Sequence, residues 1–230
     1  MLISHRYKFL YTKTAKTAGT SVESFFEPFC MPEGEWEQQH GRDEYESDAG
    51  VIGFRGPDPP ADLKWRNHMS AAEIRALAGP EVWDGYFKFC VVRNPFDKCV
   101  SAFEHFGRNH AVKRRPLLSR FTARNMTEEQ YRFLDYLKTK PLLDRDKYVI
   151  DGEFCLDDVI KFENLQGDIE RICGTLGLPY DADRLPTFKK GLRREGATCE
   201  ALYTPQSRKI VEETFAYELK QFDYAFPTGT

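Results

Sequence analysis

The stretch YKFLYTKTAKTAGTSVESFF, residues 7–26, decides the fold. Its first six residues form a short aromatic and apolar run that breaks into a Thr/Lys/Ala/Gly/Ser cluster, the pattern of a buried strand feeding a tight turn. After the cluster, Val22, Phe25, Phe26 and Phe29 recur at helical spacing, with Pro28 near the end of the run. The order is therefore strand, polar loop, helix. Gly19, Thr20 and Ser21 open that helix. Their backbone N–H groups and the positive end of the helix dipole face whatever lies above the strand end, and two hydroxyls add donors. Such a loop suits an anion. The alternative is a capped helix that happens to follow a strand, since Thr and Ser are good caps in any setting.

The lysine separates this loop from that of nucleoside triphosphatases. A Walker loop ends G-K-[ST], whereas here Lys16 precedes Gly19. On the loop itself, its ammonium can reach a bridging oxygen and neutralise charge on a departing phosphate. A second loop repeats the arrangement. YFKFCVVR (residues 86–93) reads as a buried strand; Asn94 can cap, Pro95 can take the first helical turn, and FDKCVSAFEHF continues at helical spacing. Arg93 then stands at a strand end, and Asp97 and Ser101 are four residues apart on the helix. A guanidinium fork suits phosphate oxygens, so two anion sites on adjacent strand ends would fit a ligand with two separated phosphates. Read alone, Arg93 and Ser101 are equally a capping arginine and a surface serine.

The rest of the chain continues the alternation of strands and helices. Ser70, Glu73 and Gly79 bracket a helix over about Ala71–Ala78. Thr127 caps a further helix, a strand over Val159–Phe162 runs into a helix ending at Gly174 or Gly177, and a last helix covers about Pro205–Phe222. Residues 30–67, rich in Pro, Gly, Asp and Glu, show no period and read as a long irregular segment, of the kind that often serves as a functional lid or binding loop. This order predicts an α/β fold. Its parallel β-sheet would be flanked by helices on both faces, within a single domain over residues 1–230, and ligands would lie beyond the carboxyl ends of the strands.

Composition narrows the function classes. With 41% hydrophobic and 30% charged residues, the chain is an ordinary globular domain. A net charge of −3 gives no reason to expect a nucleic-acid or membrane-surface binder. The opening residues are interrupted by His5, Arg6 and Lys8, so no signal or membrane segment is expected and the location expected is the cytoplasm. Six cysteines lie scattered without a C-x-x-C pair, which argues for reduced, mostly buried thiols and against a metal site.

KTAGTSVE after one strand, with VVRNPFDKCVSAF after a later one, resembles the sulfotransferase superfamily that uses 3′-phosphoadenosine 5′-phosphosulfate (PAPS), and within it the carbohydrate-type, family 2-like sulfotransferases. FENLQGDIERICGTLGLP and LPTFKKGLRR resemble later parts of the same family, so the likeness runs from Tyr7 to about Phe226. It implies a P-loop-like sulfotransferase fold that moves a sulfuryl group from PAPS to a hydroxyl, or less commonly an amine, of a carbohydrate or other small or anionic acceptor. The product is 3′-phosphoadenosine 5′-phosphate (PAP), and no metal is required. Carried over, Lys16 matches the catalytic lysine, and Thr17, Ala18, Gly19, Thr20 and Ser21 the 5′-phosphosulfate cradle. Arg93 and Ser101 match the 3′-phosphate clamp, and Lys190 and Arg193 a basic loop over the nucleotide. Ala15 departs from the proline usual in the family.

In-line transfer also needs a base for the acceptor proton, for which histidine suits neutral pH. Of His5, His40, His68, His105 and His110, His68 is the choice, because it lies between the two loops just before a capped helix. Uronic-acid sulfotransferases resemble this layout in carrying a histidine in that interval. Packing beside Trp65, or capping, is the alternative for His68; His40 and Glu104 are the reserves. The acceptor side comprises residues 30–67 and the basic stretch of Arg108, Lys113, Arg114, Arg115, Arg120 and Arg124, which reads equally as solvated surface. Two rival functions are a P-loop-type kinase, which lacks its G-K-[ST], and a non-catalytic PAP-binding scaffold.

Overall fold

The computed structural model describes residues 1–107, 126–186 and 199–227. These group into two compact units, Met1–Val92 with Asp144–Phe188, and Arg93–Leu143 with Lys189–Thr230.

The first unit is built on a six-stranded sheet. Its strands are β1 (Leu2–Ser4), β2 (Phe9–Thr12), β3 (Tyr45–Ser47), β4 (Gly50–Ile52), β5 (Phe87–Val92) and β8 (Asp158–Lys161), in the order β3-β4-β1-β2-β5-β8. A separate two-stranded ribbon pairs β6 (Val149–Ile150) with β7 (Glu153–Phe154). The sheet is mixed. β2, β5 and β8 are parallel, as the sequence predicts, with Tyr11 opposite Phe89 and Phe89 opposite Asp158. The other half is antiparallel and corrects that expectation: β1 returns beside β2 through a turn at residues 5–8, and β4 and β3 follow it. Residues 30–67 are accordingly not irregular throughout. The β3–β4 hairpin extends the sheet, and Gly50 permits its approach, because a Cβ there would lie 2.2 Å from the Ile3 carbonyl oxygen.

Alternation along the strands covers both faces. Leu2, Phe9, Tyr11, Ile52, Phe89, Val91 and Ile160 pack with α1 (Gly19–Phe26) and α5 (Leu165–Leu176), whereas Met1, Ile3, Leu10 and Val51 pack with α2 (Ala71–Gly85) and Trp65. α2 begins in a capping box, where Ser70 Oγ accepts from the Glu73 amide and the Glu73 carboxylate accepts from the Ser70 amide. The predicted stop at Gly79 is a break, at φ 79°; Pro80 then restarts helical geometry as far as Gly85. α5 ends at a left-handed Gly177, the later of the two predicted stops.

The second unit is helical. α3 (Pro95–Phe106), α4 (Glu128–Thr139), α6 (Cys199–Leu202), α7 (Pro205–Thr214) and α8 (Ala216–Gln221) enclose a core of Phe96, Phe103, Phe133, Tyr136, Val211 and Phe215. Asn94 caps α3 by accepting from the Phe96 amide at 3.1 Å, and Thr127 caps α4 in a second capping box. The predicted last helix is two, separated at Phe215. Among the described residues, no helix is long and apolar enough to cross a membrane.

Candidate functional site

The loop between β2 and α1 is shaped by its own hydroxyls and by three distant parts of the first unit. Thr14 Oγ1 donates to the Val91 carbonyl at 2.5 Å. With its proton committed there, Thr14 Oγ1 acts as acceptor for the Thr17 hydroxyl at 2.8 Å. The Ala15 amide donates to Asp144 Oδ2 at 2.9 Å, and the Lys13 carbonyl lies 3.1 Å from His68 Nδ1.

Within this frame Lys16 and Ala18 take left-handed φ values of 61° and 60°, whereas Thr17 and Gly19 stay at negative φ. Alternating handedness turns successive N–H groups towards one side. The result is an open array of amides. No side chain caps α1, and no acceptor among the described residues faces the amides of Ala18, Gly19 and Thr20. The Ser21 amide is different: it donates to the Ala18 carbonyl at 2.9 Å, so the open donors sit one residue earlier than the sequence implies. Thr17 is buried and its hydroxyl is spent inside the loop, which leaves its backbone as its contribution.

Beneath the loop lies an ion cluster that the sequence did not disclose. Glu23, on α1, is fully buried and accepts from Lys13 Nζ, from the Met1 amine at 2.6 Å and from Arg55 Nη1 at 3.1 Å. Arg55 also pairs with the buried Glu27, which accepts from Arg42 Nε at 2.9 Å. Burial opposes ionisation of Glu23, but Lys13, the Met1 amine and Arg55 outweigh it and hold the carboxyl well below its ordinary range. Burial also lowers the Lys13 ammonium, against the pull of Glu23. With three cations around one carboxylate, Glu23 remains the ionised partner. The Lys13 stem runs under the start of α1, where a Cβ at Gly19 would lie 3.0 Å from Lys13 Cε. A side chain at residue 19 would crowd that passage.

His68 meets the loop at the Lys13 carbonyl, a contact that no sequence signal pointed to. Its backbone is left-handed at φ 54°, and its imidazole is pushed down to about 4, first by enclosure among protein atoms and then by the Lys13 ammonium and the Met1 amine. The ring is therefore neutral at neutral pH. A neutral ring facing a carbonyl through Nδ1 must carry its proton there, which leaves Nε2 as an unprotonated acceptor. The residue as a whole is exposed to solvent, so the enclosure that lowers its pKa is local to the Lys13 side of the ring.

The other predicted residues fall into three groups. In the second unit, Arg93 Nε donates to Asp97 Oδ2 at 2.7 Å and its Nη2 pairs with the same oxygen, which fixes the guanidinium; Ser101 is half-buried one helical turn beyond Asp97. Lys190, Arg193, His110 and the basic run from Arg108 to Arg124 lie outside the described residues. Of the remaining histidines, His5 Nδ1 lies 2.9 Å from the Tyr86 hydroxyl, His40 is exposed, and His105 stacks edge-on with Phe106.

A model of the sulfotransferase family matches residues 1–225. The chain belongs to the sulfotransferase family. Family membership makes it a transferase of sulfuryl groups acting between a nucleotide donor and an acceptor. It is also similar to a protein of Archaeoglobus fulgidus named only as uncharacterized, at 33% identity over 118 residues, which is 50% of this chain and 88% of that protein. No solved structure matches it.

Proposed function

We propose that the protein transfers the sulfuryl group of PAPS to a hydroxyl, less commonly an amine, of a small or anionic acceptor such as a saccharide, with PAP as the other product. The observation that carries this reading is the turn between β2 and α1. Alternating φ signs from Lys16 to Gly19 leave the amides of Ala18, Gly19 and Thr20 without acceptors among the described residues, on the same loop as Lys16. Such an array, at a helix N-terminus with no side-chain cap, suits a phosphate or sulfate oxygen. The residues present therefore fit the 5′ end of PAPS.

PAPS supplies an activated sulfuryl group. Lys16 neutralises charge that builds on the leaving phosphate, and the loop amides hold that group in place before reaction, so little reorganisation is needed as charge develops. His68 Nε2 takes the acceptor proton. Its tautomer is set by the Lys13 carbonyl, which is part of the same loop, so the base is tied to the donor cradle by one hydrogen bond. Arg93 and Ser101 are assigned to the 3′-phosphate by their motif, with Asp97 holding the Arg93 fork. Lys190 and Arg193 are assigned to the cover over the nucleotide, and the cytoplasm is the proposed location.

A thermal-shift titration tests the nucleotide. PAP raises the melting temperature in the absence of metal on this reading, because a ligand that binds only the folded state stabilises it. A larger shift from ATP with magnesium would favour a kinase. Incubation with labelled PAPS and a panel of hydroxyl and amine acceptors tests the transfer; PAP binding without transfer to any of them would favour a scaffold.

A further inference from the structure

We propose that Asp144 is a positioning residue of the loop: by holding the Ala15 amide, it fixes the turn that presents Lys16 and the open amides of Ala18 to Thr20. The proposal rests on the PAPS reading for the identity of the ligand, but the contact itself does not. Asp144 is only 4% exposed and stands 129 positions along the chain from Ala15. Its own backbone is pinned by the short turn Arg145–Lys147 that follows, where the Lys147 amide donates to the Asp144 carbonyl at 2.8 Å. The carboxylate is thus anchored before it reaches the loop.

The loop needs such an anchor. Left-handed geometry at Lys16 and Ala18, neither a glycine, persists only where surrounding contacts over-determine it. After Ala18 the turn is held by α1. Before Lys16 it is held by Thr14, through the Val91 carbonyl, and by Ala15, through Asp144. The Ala15 contact is the nearer of these to Lys16, by one residue. A carboxylate beside an anion-binding loop works against the ligand's charge, and holding the Ala15 amide is a contribution that offsets this cost. Without it the Ala15–Thr17 segment samples other turns, the Lys16 ammonium spreads over more positions, and the ligand meets the amides in a smaller share of molecules.

Two measurements on the ligand-free and PAP-titrated protein test this. Hydrogen exchange at the Ala15 amide is expected to be slow in the parent chain and fast in Asp144→Ala. Calorimetry is expected to show PAP binding weakened about ten-fold in Asp144→Ala, the loss of one hydrogen bond to a charged group. Asp144→Asn keeps an acceptor oxygen and is expected to restore slow exchange and most of the affinity. Should Asp144→Ala not fold, Asp144→Ser, whose hydroxyl is too short to span the contact, is read in its place. Unchanged exchange at Ala15, or a variant that melts earlier while its folded fraction binds PAP like the parent, overturns the proposal. If the parent chain takes up no PAP, the nucleotide reading fails, and the Ala15 exchange alone decides the role of Asp144.

Discussion

Replacing Glu23 by glutamine tests whether the buried ion cluster supports the loop above it. The change keeps the shape of the side chain but removes the charge that faces Lys13, the Met1 amine and Arg55, and it can turn an amide donor towards groups that are themselves donors. Glu23 has no exposed surface, so water cannot take over its role. Removing one partner of a buried pair costs about 3–5 kcal/mol. For a chain of this size each kcal/mol moves the melting temperature by roughly 2–4 °C, so the fall expected at neutral pH is roughly 6–20 °C. Circular dichroism melts read it directly. The pH dependence gives a second reading. Glu23 titrates in the folded state below its ordinary value of 4.5, so its stabilisation is complete above that value and is lost as pH falls towards the folded pKa. The parent chain should lose stability progressively in acid below about pH 4.5, and Glu23→Gln should show a flatter acid limb. A shift of less than about 2 °C at neutral pH, with an unchanged acid limb, would refute the reasoning, because the cluster would then contribute under about 1 kcal/mol.

Further outcomes are expected at the loop and the base. His68→Ala should lower turnover by about a hundred-fold or more in the labelled transfer assay while PAP binding is kept; full turnover would remove His68 from the role. Because His68 titrates at about 4 and acts in its neutral form, kcat/KM should stay level from neutral pH down to about pH 5 and fall below it. An acid limb at the ordinary imidazole value, near pH 6.5, would mean that the ring is not enclosed as described. Gly19→Ala places a Cβ 3.0 Å from Lys13 Cε and 3.3 Å from the Thr14 carbonyl oxygen. The Lys13 stem is buried and tethered to Glu23, so it gives way only at a cost, and a loss of about 1–3 kcal/mol is expected by chemical denaturation, together with weaker PAP binding.

Local patterns carried most of what the sequence revealed. The strand, loop and helix from Phe9 to Phe26, the strand and capped helix from Phe87 to Phe106, and the caps at Ser70 and Thr127 each rest on residues within a few positions of one another. What stayed hidden depended on distant partners. β3 and β4 are three residues each, too short to show a period; β4 adds to the edge of β1, and β3 to that of β4. β1 itself was masked by the charged turn at His5, Arg6 and Lys8, whose side chains belong to the hairpin bend and not to the strand. Lys16 was legible in the loop, but Lys13, in the same repeated Lys-Thr-Ala, was not. Its burial follows from Glu23 and Arg55, and nothing near it in sequence marks them as buried. Asp144 is further still, and only the folded chain brings it to Ala15.

The account turns on what the loop after β2 holds. Calorimetric titration of PAP into metal-free protein, set beside Lys16→Ala, measures this most directly. Saturable uptake of one nucleotide per chain, weakened about ten-fold by the loss of Lys16, is the result expected of a charge-assisted contact. No heat of binding, or equal affinity in the two proteins, would contradict it.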